Sequence, residues 1–157
     1  MRLREGAASL SCDYCGGIFV PEKNQDGARL LGETSTLPCP LCVVPLERAL
    51  IGHHAILYCA RCCGSLIAMP VFVSLVEDLR SQQKGASEIP HAPDPQRLRR
   101  KIRCPKCNQA MDTHYYAGPG NVIIDDCSRC ELNWLDHGEL TAIARAPGHS
   151  LESASSW

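Results

Sequence analysis

Ten of the eleven cysteines fall into five C-x-x-C pairs, at Cys12 and Cys15, Cys39 and Cys42, Cys59 and Cys62, Cys104 and Cys107, and Cys127 and Cys130. A pair at this spacing sits on a tight turn that aims two sulfurs at one point, and two such turns supply the four thiolates of a tetrahedral site. A zinc closed by four thiolates keeps no position for water or substrate, so the chemistry on offer is metal-coupled folding rather than catalysis. Sixteen residues separate Cys42 from Cys59 and nineteen separate Cys107 from Cys127, both hairpin-sized gaps. The expected sites are therefore Cys39, Cys42, Cys59 and Cys62 on one zinc, and Cys104, Cys107, Cys127 and Cys130 on a second. A rival pairing joins Cys12 and Cys15 to Cys39 and Cys42 across twenty-three residues and orphans Cys59 and Cys62. In the preferred pairing Cys12 and Cys15 remain over. A third zinc would need them to recruit Cys63, His53 or His54, or to meet their equivalents across a dimer. Thiolate ligation alone also admits iron.

The elements that must position these sulfurs are short. Between Cys107 and Cys127 lies HYYAGPGNVII, two β-prone runs around a Gly-Pro-Gly-Asn turn. Between Cys42 and Cys59, His53 and His54 fall at a hairpin turn. Near the N-terminus the IFV run, an Asp-Gly turn and ARLLGE read as a further hairpin. Val71, Phe72, Leu75, Val76 and Leu79 recur at helical spacing behind Pro70, predicting a helix to about Lys84. Asp136-x-x-Glu139 reads as a capping box for a second helix beginning at Asp136. Asp94 and Pro95 predict a short helix carrying the basic residues to Arg103. The resulting architecture is a small, metal-stabilised β/α string of tandem zinc ribbons, β-hairpin zinc knuckles of which two are each followed by a short helix. Its expected segments are a partial ribbon-like knuckle and hairpin (1–36), a ribbon with a helix (37–84), a linker with a basic segment (85–103), a second ribbon with a helix (104–147) and a disordered tail (148–157).

The string CPKC, a hairpin, then CSRCELNWLDHGEL resembles the small bacterial zinc-ribbon family named after the ribbon of transcription factor IIB. Trp134, Leu135, Asp136, Gly138, Glu139 and Leu140 follow that family's pattern, with Glu131 and Leu132 where the family has glycines. The resemblance implies zinc rather than iron and a transcription-related ancestry.

Composition bounds the partners. The 157 residues carry a formal net charge of −1, which argues for neither nucleic acid nor membrane. MRLREGAASLSC lacks the apolar run of an export signal, and no stretch approaches a bilayer span, so a cytoplasmic chain with no membrane partner is expected. In such a compartment C-x-x-C pairs bind metal more often than they form disulfides. Arg97, Arg99, Arg100, Lys101, Arg103 and Lys106 fall within ten positions that no acidic residue interrupts, beside Tyr115 and Tyr116. Cations neutralise phosphates and exposed aromatics stack on bases, so a non-catalytic nucleic-acid-binding or transcription-associated module is the first expectation. The second is a protein-interaction adaptor with purely structural zincs, using hairpin edges or the Pro70 helix. The third is thiol redox or metal handling through Cys12, Cys15 and Cys63. No histidine, Gly-rich loop or paired carboxylate makes a catalytic constellation, so no catalytic residue is assigned.

Overall fold

A computed structural model describes residues 2–3, 10–11, 14–16, 18–19, 22–24, 26–82, 95–116 and 122–146. Strands β1 (Arg2–Leu3), β2 (Leu10–Ser11) and β3 (Ile18–Phe19) pair antiparallel in that order as a small separate sheet. The main sheet takes β4 (Ala28–Pro38), β5 (Pro45–Ile51), β6 (His54–Tyr58) and β7 (Ser65–Ala68), then helix α1 (Met69–Gln82). After the short helix α2 (Pro95–Arg99) come β8 (Asp112–Tyr115), β9 (Ile123–Cys127), β10 (Leu132–Leu135) and helix α3 (Glu139–Arg145).

Three cysteine pairs, Cys39 and Cys42, Cys59 and Cys62, and Cys127 and Cys130, turn one strand into the next, and Cys104 and Cys107 lie between the bridged Arg103 and Ala110. Gly52, at φ 60°, and His53 reverse the chain between β5 and β6, and Cys59 to Cys62 turn β6 into β7. In the other half Cys127 ends β9, and Cys130 leads into β10. The halves were expected as beads on a string, but they form one sheet. Its order is β4-β5-β6-β7-β10-β9-β8, and β7 pairs antiparallel with β10 from Leu132↔Ala68 to Leu135↔Ser65. The physical reason lies in two four-residue strands whose residues are nearly all buried on both faces. Left as edges they would expose both apolar surface and unpaired backbone; joined, each supplies the other's ladder.

Successive strand residues point to opposite faces, which splits the core in two. Ile67 and Leu135 lie in the cluster with Phe72, Leu75, Val76 and Ile143, on the side of α1 and α3. Leu66 and Trp134 lie in the other, with Cys39, Cys59, Cys104, Cys127, Leu46, Ile102 and Met111. Arg80 of α1 donates to the carbonyls of Ile143 (2.7 Å) and Ala146 (3.1 Å), satisfying the open C-terminus of α3.

Several boundaries differ from expectation. Ala28–Pro38 pairs not with the IFV run but with β5, from Ala28↔Ile51 to Pro38↔Pro45, so β4 crosses the expected boundary after residue 36. Asn24 Oδ1 accepts from Asp26 and Ala28 (both 2.9 Å), fixing the turn into β4. The α2 helix stops at Arg99, short of Arg103, and Lys101 to Arg103 run extended with Ile102 inward and buried. Residues 83–94, which include His91, the Gly-Pro-Gly-Asn turn at 118–121 and the tail from 147 lie outside the described residues. No helix among the described residues is long and apolar enough to cross a membrane.

Candidate metal centres

A knuckle must bring its second sulfur back over its first, and here it does so with backbone in the left-handed region. Val43, Cys63, Asn108 and Glu131, each one residue past the second cysteine of a pair, have φ between 55° and 65°. The reversal lets the amides of Val43, Cys63 and Asn108 donate to the carbonyls of Cys39, Cys59 and Cys104 at 2.8–2.9 Å. It also aims amides at sulfur: Leu41 and Cys42 donate to Cys39 Sγ at 3.4 and 3.3 Å, and Cys62 to Cys59 Sγ at 3.4 Å. The glycines usual in the resembling family suit such a φ without side-chain strain, whereas a β-branched Val43 is strained there.

Both expected ligand sets assemble. Cys39, Cys42, Cys59 and Cys62 converge with all sulfurs within 4.8 Å of one another, and so do Cys104, Cys107, Cys127 and Cys130. The Sγ–Sγ separations of 3.7 Å (Cys39 to Cys62) and 3.6 Å (Cys107 to Cys127) match the roughly 3.8 Å edge of a tetrahedron with Zn–S of about 2.3 Å. Without a cation such a cluster resists full ionisation. Burial and the neighbouring sulfurs push the Cys62 thiol well up and its counterpart Cys130 up to about 12. The Gln109 amide is the main reason that Cys107 falls to about 7. The two ligand sets fit two structural zinc ions, which would hold all eight sulfurs as thiolates and lock each hairpin to its knuckle. The rival pairing through Cys12 and Cys15 does not form, since Cys39 and Cys42 meet Cys59 and Cys62. Cys15 is exposed and Cys12 lies outside the described residues.

The match to known proteins falls on the C-terminal half. Residues 103–146 match the family model described as transcription factor zinc-finger. This segment is a zinc ribbon of the transcription factor IIB type. Comparisons with curated proteins and with solved structures gave no match. Inside the ribbon Trp134 is fully buried, and its ring lies against Gly64 of the first half, where an added Cβ would come within 2.3 Å of the indole. The ribbon's own tryptophan therefore seals both knuckles.

The basic segment divides. Arg97 and Arg100 point inward and clasp Asp125, fully buried on β9, at 2.7 and 3.0 Å. Arg97 also pairs with Asp136 (2.9 Å) and Glu139 (3.1 Å), and Arg100 with Asp136 (2.8 Å). Thr113 Oγ1 donates to Asp125 at 2.6 Å. These two arginines, expected among the nucleic-acid contacts, are instead the ion pairs that tie α2 to the ribbon. Arg99, Lys101, Arg103 and Lys106 are exposed, and Arg103 donates to the Asn108 carbonyl at 3.0 Å. Three carboxylates face two guanidinium groups in this network. Burial, with the nearby Asp136 charge, raises the Glu139 carboxyl to about 7 against the opposing pull of Arg97.

The capping box forms only by half. The Asp136 amide donates to Glu139 Oε2 at 2.7 Å, but the Asp136 side chain serves the arginines and the Trp134 indole N–H (3.0 Å). With that side chain engaged elsewhere, α3 begins at Glu139 behind Gly138 at φ 86° rather than at Asp136. Tyr115 is 43% exposed, whereas Tyr116 packs edge-on against Phe72 at 5.5 Å. Two further groupings joined by no spacing signal appear. His54, buried, bonds Asp78 at 2.6 Å, and Cys63 meets Asp26 and His137.

Proposed function

We propose that this protein is a non-catalytic zinc-ribbon module that binds nucleic acid through the outward half of its basic segment. The observation that carries the reading is the division of that segment. Arg97 and Arg100 hold the fold, while Arg99, Lys101, Arg103 and Lys106 stay exposed on one stretch leading into the Cys104 knuckle. Arg129, exposed on the facing Cys127 knuckle, and the exposed Tyr115 add a cation and a stacking face. Zinc in this reading keeps the ridge rigid and takes no part in contact.

The test is binding of the zinc-loaded protein to fluorescent single- and double-stranded DNA and RNA as salt is varied. Replacing Arg99, Lys101, Arg103 and Lys106 by Gln should flatten the plot of log K against log[salt] by about 3 to 4. Salt-dependent binding unchanged by the quadruple replacement, or no binding at low salt, sinks the reading. The protein-adaptor reading rests on a different feature. Val43 is 76% and Leu41 39% exposed on the Cys39 knuckle, an apolar tip on the half that carries no basic run. Recovery of a protein partner released by Val43→Ser would favour it.

A further inference from the structure

We infer that Asp26, Cys63 and His137 form a third metal site, one that takes a single divalent transition metal of the zinc and cobalt type and leaves it an open position. The inference is independent of nucleic-acid binding. One carboxylate oxygen, one sulfur and one imidazole nitrogen, brought from the turn before β4, the Cys59 knuckle and the loop after β10, lie within 4.8 Å of one another. His137 Nδ1 is already 3.1 Å from Asp26 Oδ1, close to the roughly 3.3 Å that separates two tetrahedral ligands at 2.0–2.1 Å from zinc.

The surroundings are those of a held ligand set. Tyr58 donates its hydroxyl to Asp26 Oδ2 at 2.5 Å, which orients the carboxylate and turns Oδ1 toward His137. Cys63 is fixed by the left-handed knuckle at φ 63°, and its backbone amide is bonded to Cys59. His137 is half-exposed on a loop that Gly138 lets turn back, so it can close the remaining distance. Asp26 and Cys63 line a cavity of about 20 Å³, walled also by Ser65, Asp136 and Thr141, with room for one water. Three protein ligands of mixed S, N and O type with a water position differ in kind from the two closed four-thiolate sites. The place equivalent to Cys63 in the second ribbon is Glu131, and no matching cluster forms around it among the described residues. Among the described residues His53, His54 and Asp78 form another grouping, but it has no sulfur, and the 2.6 Å between His54 Nε2 and Asp78 Oδ2 is too short for two ligands about 3.3 Å apart on one tetrahedral ion.

The test uses the full chain loaded with two zincs and Co²⁺ as the probe. Native mass spectrometry counts the metals, and ultraviolet and visible absorption reads the thiolate-to-cobalt band. The expected result is one further equivalent of Co²⁺ with both zincs retained and a band of single-thiolate intensity. It should vanish in Cys63→Ser and in His137→Ala, and persist when Cys12 and Cys15 are both replaced by Ser. Should Cys63→Ser fail to fold, the half-exposed His137→Ala decides alone. No third equivalent, a third equivalent that survives His137→Ala, or one lost with Cys12 and Cys15 would overturn the inference. None of these readouts involves nucleic acid, so the proposed binding function stands or falls separately.

Discussion

Two arginines separated by one residue should respond in opposite ways. Replacing Arg97 by Met keeps its aliphatic stem but removes the charge beside Asp125, which is fully buried, from a side chain itself only 11% exposed. Breaking a buried pair by deleting one partner costs about 3–5 kcal/mol, because the other charge stays in low dielectric. Asp125 keeps Arg100 at 3.0 Å and the Thr113 hydroxyl, which places the loss near the lower end, about 3 kcal/mol. For a urea slope of about 2 kcal/mol/M this lowers the unfolding midpoint by about 1.5 M. Arg99→Met, on the exposed side of the same helix, should move stability by less than about 0.5 kcal/mol while lowering the salt slope of nucleic-acid binding by about 0.9. The assay is urea unfolding of both variants, zinc-loaded, followed by far-ultraviolet circular dichroism, beside a salt titration of binding. Equal midpoint shifts, or an Arg97 variant as stable as the parent, would refute the division of the basic segment into structural and exposed cations.

Gly64→Ala should destabilise by about 1–3 kcal/mol or more, since its Cβ meets a fully buried indole that cannot swing away; a change below 0.5 kcal/mol by denaturation would show that the indole yields. Val43→Gly should stabilise by about 1 kcal/mol, because Val43 is largely exposed and its φ of 65° burdens a β-branched residue; a lower thermal midpoint would count against strain there. Glu139, raised to about 7 mainly by burial, binds its proton more tightly folded than unfolded, so its contribution weakens stability as pH rises from about 4.5 through 7. A ¹³C titration of its side-chain carboxyl should have a midpoint near 7, and one below 5 would refute the charge imbalance of the network.

The metal centres were legible in the sequence because a thiolate pair at C-x-x-C spacing is a local geometric statement, and hairpin-length gaps left few ways to combine the pairs. The fusion of the halves was not, because β7 and β10 are four residues each and their pairing joins positions with no spacing rule between them. The fate of Arg97 and Arg100 was hidden for a similar reason. Their partners lie 25 to 42 residues further along the chain, and a run of like charge reads locally as solvated. One signal was present: Asp125 alternates in phase with Ile123 and Cys127 on β9, so an acid stands on the face that carries a metal ligand. An inward acid needs a cation, and the basic run was the nearest dense supply. The Asp26, Cys63 and His137 grouping carried only the weaker sign of an eleventh cysteine without a C-x-x-C partner.

The β7–β10 junction has the symmetry of a dimer held in one chain. Counting four residues on from Cys62 and from Cys130 reaches Leu66 and Trp134, and these two face each other across the ladder. Two residues on from the same cysteines stand Gly64 and Leu132. In a true homodimer each interface position must suit a copy of itself, and a tryptophan facing a tryptophan over two glycines would be a different packing problem. A single chain is released from that rule. One side of the pseudo-axis is a large knob in a bare socket, Trp134 over Gly64, and the matching positions on the other side are two leucines. Pairing either half with a copy of itself would put knob against knob or socket against socket. The junction therefore encodes which half recognises which, and it disfavours pairing of like halves from neighbouring molecules.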